Sequence, residues 1–189
     1  IEQEQLEFDA SGAKIHAVRS VHLKQLREVF NLLSTPTLKV ELAELTASLK
    51  QPGIKLGLKK AYGQTFLRLI EAIQKAQMLN SDIQVMLAAS FKQLNAEFGF
   101  SLQAPKEPDL TAYKVELEQI ERSHLQYLGI RNLLKLSQPD FSERLVRALG
   151  TRLRVVYESA MAEVELWNKS AASQLDAQLR ERRRNFGRR

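Results

Sequence analysis

The longest regular pattern in the chain is an apolar stripe that begins after Pro139 and ends near Phe186. Phe141, Leu145, Leu149, Leu153, Val156, Ala160, Val164, Trp167, Ala171, Leu175 and Leu179 follow one another in steps of four relieved by threes. Such steps stay on one face of an α-helix. Within the stripe Leu153, Val164 and Leu175 recur every eleven residues. That is the period of a straight or slightly right-handed helical packing, not of a left-handed heptad coil. At about 1.5 Å per residue the predicted helix is roughly 70 Å long. A rod of that length spans distance or bundles with other rods.

The same periodicity fills most of the remaining chain. Ile15, Val18, His22, Leu26, Val29 and Leu33 form a first stripe, which Ser34-Thr35-Pro36 interrupts. Thr35 before Pro36 predicts an N-cap followed by an N1 proline. The next helix carries Leu38, Leu42, Leu45 and Leu49, and Gln51-Pro52-Gly53 ends it. A third stripe through Leu58, Tyr62, Phe66, Leu69 and Ile73 is expected to stop near Leu79, where Asn80-Ser81-Asp82 can close one helix and cap another. That next helix would hold Ile83, Leu87, Phe91, Leu94 and Phe98. After the segment from Gly99 to Pro108, Asp109 caps a helix with Tyr113, Leu117, Ile120, His124 and Leu128, and Pro139-Asp140 opens the last one. Leu6, Phe8 and Ala10 alternate, as do Phe98, Phe100 and Leu102. Short strands and frayed helix ends both fit that alternation. The expected fold is all-α, an elongated bundle of about five to six helices with one very long C-terminal helix. It forms a single helical bundle domain over residues 1–189. Because the sequence opens on Ile1 and not on Met, it is read as a piece of a longer protein.

Composition narrows the class further. An apolar share of 44% with 26% charged residues belongs to a folded chain, not a disordered one. No apolar run approaches the roughly 18–20 residues of a membrane span, and no signal-peptide pattern is present. The absence of cysteine excludes disulfides and thiolate chemistry and fits a reducing compartment. The net charge of +6 suggests nucleic acid until it is located: residues 180–189 hold Arg180, Arg182, Arg183, Arg184, Arg188 and Arg189 against Glu181, which is +5 and leaves +1 for the rest. This basic tail can attract phosphates or anionic headgroups. The plainer reading is a solvated helix end whose cations oppose the macrodipole.

Candidate chemistry is sparse. No glycine is followed by lysine, so the phosphate loop of a nucleoside-triphosphate site is missing. His16, His22 and His124 show no metal-ligand spacing, and His22 and His124 sit on apolar stripes. Both are expected to be core histidines with one hydrogen-bond partner each. The expected catalytic, cofactor and metal assignments are none, and the piece is not expected to be an enzyme. Two surfaces are candidates for membrane or partner contact. Lys55, Lys59 and Lys60 flank Leu56, Leu58 and Tyr62 as a basic amphipathic helix start, and Phe98, Phe100 and Leu102 form an apolar turn. The competing readings are snorkelling lysines over a core face and a plug at the end of the core.

Three stretches of the C-terminal third carry a resemblance. Tyr127-Leu-Gly-Ile-Arg-Asn, then Gln138-Pro-Asp-Phe-Ser-Glu-Arg-Leu-Val-Arg-Ala-Leu, then Glu165-Leu-Trp-Asn-Lys-Ser with Gln178-Leu-Arg-Glu-Arg-Arg-Arg, resemble the helical region of bacterial dynamin-like GTPases over roughly residues 98–189. The resemblance implies a non-catalytic stalk that relays nucleotide state to self-assembly and to membrane contact, with GTP bound by a G domain outside this sequence. It also implies self-association through the long helices, an anionic membrane surface as partner, and a cytoplasmic location that extends to the inner membrane periphery. No catalytic residue of the family maps onto any position here. The alternative is a helical scaffold or adaptor that binds protein or nucleic acid through exposed helix faces and the arginine tail, with nucleic acid the less favoured partner.

Overall fold

The computed structural model describes residues 2–188, and the side chains of Lys55, Ile130 and Arg131 lie outside that description. Among the described residues every regular element is helical, so the fold is all-α. The elements are α1 (Glu2–Leu32), α2 (Thr35–Leu49), α3 (Ile54–Phe98), α4 (Thr111–Tyr127), α5 (Ile130–Leu133), a 3₁₀ turn (Leu134–Ser137) and α6 (Pro139–Gly187).

Several boundaries differ from the sequence expectation. Helix α1 begins at Glu2, so Leu6, Phe8 and Ala10 are helical and not a strand. Ser34, not Thr35, is the N-cap of α2: its backbone is extended (φ −76°, ψ 149°) and its hydroxyl accepts the Thr37 N–H at 3.4 Å. The stop expected at Asn80-Ser81-Asp82 does not occur, because α3 runs through it. The buried residues Ile73, Ala76, Asn80, Ile83, Leu87 and Phe91 step by threes and fours without a phase change. Asn80 therefore fills an inward position of one stripe, and with no Pro or Gly nearby nothing interrupts the backbone. This join is why the division into helices departs from the expected one.

The chain resolves into two compact units, and α3 and α6 contribute residues to each. One unit combines the N-terminal stretch to Val29, Met78–Pro108 and the chain from Glu163 on. Here α1 runs antiparallel to its neighbours, because Lys14 pairs with Glu97 while Gln25 meets Met86, and Arg19 pairs with Asp176 at 2.7 Å while Phe8 stacks on Phe186. Ile15, Leu87, Phe91, Leu94, Ala171 and Leu175 form its core.

The other unit spans Phe30–Gln77 and Asp109–Ala162. Leu45 and Leu49 of α2, Tyr62, Phe66 and Leu69 of α3, Leu117 and Ile120 of α4, and Leu149, Leu153 and Val156 of α6 are all buried. Two polar ties fix the helices in register. Arg68 on α3 reaches Glu41 at 2.6 Å and Glu44 at 3.1 Å on α2. The Tyr157 hydroxyl, buried in α6, donates to the Leu69 carbonyl at 2.9 Å. Helix α6 passes through Gly150 unbroken, and a Cβ there would lie 2.9 Å from Leu42 Cδ1. That glycine is required by the close approach of α2, not by a turn.

Candidate functional site

The residues singled out from sequence fall into three groups. Lys59 and Lys60 are exposed on α3, while Leu58, Tyr62 and Phe66 beneath them are buried; Lys55 belongs to the undescribed side chains. The apolar face of this helix start is thus core, apart from Leu56, which is 98% exposed.

Phe98, Phe100 and Leu102 are buried, so the turn offers no apolar tip to a bilayer or partner. Their alternation is real, since Ser101 and Gln103 between and beyond them are exposed, yet no strand pairs with the segment. Gly99 turns the chain out of α3 at φ +67°, its N–H bonding Asn95 O at 2.9 Å. Side-chain amides then replace the missing ladder. Asn95 donates to Leu102 O at 2.9 Å and accepts Leu102 N–H at 2.8 Å, and Gln174 does the same for Gln103 at 2.7 and 2.9 Å. The Trp167 indole donates to Pro105 O at 2.9 Å. Both backbone groups of Leu102 and of Gln103 are thus met by side chains of α3 and α6.

The arginine tail is divided in role. Arg182 donates to the Phe98 carbonyl and its guanidinium lies 5.0 Å from the Phe100 ring centroid and 5.8 Å from that of Phe98, a cation–π cover over the plug. Arg180, Arg183, Arg184 and Arg188 are exposed, and Arg189 lies outside the described residues.

Both histidines on apolar stripes are buried, and His22 departs from the expectation of one hydrogen-bond partner. Both ring nitrogens of His22 lack a protein partner, and the ring meets Trp167 edge-on at 5.8 Å. Burial pushes its pKa below the ordinary value. His124 on α4 stacks on Tyr62 at 6.3 Å, and its Nδ1 has no partner. Its pKa is also lowered, first by burial and then by the nearby charge of Arg152.

His124 is part of a concavity of about 690 Å³ that sequence reasoning missed. Helix α4 supplies His124 and Tyr127, the 3₁₀ turn supplies Lys135, and the first turns of α6 supply Phe141, Arg144, Ala148 and Arg152. The connection that shapes it is held at both ends. Asn132 Nδ2 donates to Tyr127 O at 2.7 Å at the end of α4, and the buried Ser142 hydroxyl donates to Leu136 O at 3.2 Å at the start of α6. The Lys135 ammonium sits 6.0 Å from the Phe141 ring centroid. The only trace in the sequence is Arg144, Ala148 and Arg152 at four-residue steps, a column on one helix face beside the apolar stripe. Its meaning depends on α4 folding back alongside, which local spacing does not encode.

Among the described residues no helix is long and apolar enough to cross a membrane, and no group of three or more metal-ligating side chains converges. No protein-family model, curated protein or solved structure matches the chain. Class is therefore set by the fold itself, an all-α helical protein.

Proposed function

We propose that this chain is a non-catalytic helical assembly module that associates with a second copy of itself, in the manner of the helical region of a bacterial dynamin-like GTPase. In that reading GTP acts on a G domain outside the sequence, and the helices relay its state to assembly. The observation that carries the reading is an apolar groove of about 190 Å³ along the seam of α1 and α3. Ala17, Val18 and Val21 line one side, Met86 and Leu87 the other, and Val21 and Met86 are about half exposed. A seam of this kind accepts the apolar stripe of a further helix. The Gln25 amide donates to Met86 Sδ at 2.7 Å and so fixes one wall. Membrane contact, the second element of the stalk reading, rests on Leu56, Lys59 and Lys60, since the plug residues are covered.

Sedimentation velocity over a concentration series tests the association. The chain is expected to shift to dimer or higher species. Val21→Glu with Met86→Glu should weaken association at least tenfold, about 1.4 kcal/mol. A chain that stays monomeric throughout, or variants that associate unchanged, would overturn the reading.

The exposed Arg180, Arg183 and Arg184, which border one shallow groove with Ala177, support the scaffold alternative instead. Retention on a polyanion separates the two readings.

A further inference from the structure

We propose that the concavity between α4 and the first turns of α6 binds a small organic phosphate, with the phosphate on Arg144, Arg152 and Lys135 and an apolar or aromatic body against Tyr127 and Phe141.

Charge is the first support. Lys14, Arg19, Lys50 and Arg68 each pair with a carboxylate in this structure. Lys135, Arg144 and Arg152 line one concavity, and none of the three forms such a pair among the described residues. Among the described residues no acidic side chain lines the concavity. Like charges gathered without a counter-charge repel one another, and an anion relieves that repulsion.

Geometry is the second. Arg144 and Arg152 stand two turns apart on one face of α6, with the Ala148 methyl between them. The small residue leaves room, and two guanidinium forks spaced about 12 Å along the axis can close on one group from both sides. Bidentate Arg–phosphate pairing suits a tetrahedral oxyanion better than a point charge alone would. Lys135 comes from the 3₁₀ turn that precedes α6.

The third support is His124. It is only 8% exposed and lines the concavity. Its ring, stacked on Tyr62, is a fixed flat wall against which an aromatic ligand body can pack. Size points to more than a bare anion, because a space of about 690 Å³ is that of a drug-sized ligand and two of its walls are aromatic.

Phenyl phosphate titrated calorimetrically into the intact chain is the probe, with phenol and inorganic phosphate as half-ligands. Saturable binding is expected, at least tenfold weaker for each half-ligand. Arg144→Gln and Arg152→Gln should each weaken phenyl phosphate at least tenfold, and the double variant should abolish binding. Arg147→Gln, an equal loss of charge one face away on α6, should change it less than twofold. Circular dichroism confirms that the variants fold. Sedimentation with phosphatidic acid vesicles, sensitive to the same two substitutions, would place the phosphate on a lipid headgroup and also support the site. Three outcomes overturn it: no saturable binding to either probe, binding indifferent to Arg144 and Arg152, or equal loss in Arg147→Gln. None depends on whether the chain self-associates.

Discussion

His22 and Asn80 occupy inward positions of helical stripes where apolar residues are the rule, and neither finds a protein partner for its side-chain nitrogens. Their fates differ with their chemistry. Asn80 cannot titrate, so its burial is a fixed cost. His22 and His124 can refuse a proton, and burial holds both pKa values below the ordinary 6.5. The unfolded chain then binds protons that the folded chain does not. Stability is fully present above pH 6.5 and falls as pH drops through that value toward the folded pKa. The slope is at most about 1.4 kcal/mol per pH unit for each histidine. Urea midpoints measured between pH 7.5 and 5.5 should show this loss, and His22→Gln should remove part of it. An unchanged slope in that variant would exclude His22 as a source.

At the scale of the element, the segment after α3 shows how an extended chain survives without a sheet. Asn95 serves both backbone groups of Leu102 and is partly buried, whereas the Gln174 contacts to Gln103 are exposed. Asn95→Ala is therefore expected to destabilise the fold by about 2 kcal/mol, and Gln174→Ala by under about 1 kcal/mol. Urea unfolding of the two variants checks the ranking, and equal losses would show that the clamp at Leu102 has no special weight. Alternation of Phe98, Phe100 and Leu102 was legible as an extended signal. What was not legible was its partner, since amides at 95 and 174 carry no local mark of that use. The same holds for α3: the polar triplet at 80–82 looked like a boundary, and only the unbroken register of buried residues on both sides makes it helix interior.

For the whole molecule, the charge distribution is the property most easily read and most easily misread. The tail holds nearly all the excess charge, but Arg182 is committed to Phe98 and Phe100. Within the tail, free attraction for polyanions therefore rests on Arg180, Arg183, Arg184 and Arg188. Replacing Arg180, Arg183 and Arg184 with Gln should lower the salt needed to elute the chain from heparin, much more than neutralising Lys14, Arg19 and Lys50, which are already paired. Equal shifts for the two triplets would mean that the tail is not a distinct surface. A large tail-specific shift that persists with RNA favours the scaffold reading over assembly.

The helical class, most inward faces and the tail's charge followed from sequence, because a 3.6-residue period and a run of like charges are local properties that each segment carries alone. In α6 every stripe residue from Leu145 to Leu175 is buried as its spacing required. Tertiary structure alone decided that Gly150 is a point of close approach, that Arg182 is a lid and its neighbours are not, and that Lys135 joins Arg144 and Arg152 around His124. Each of those depends on which distant segment packs alongside, and a pattern confined to one helix contains no record of its neighbour.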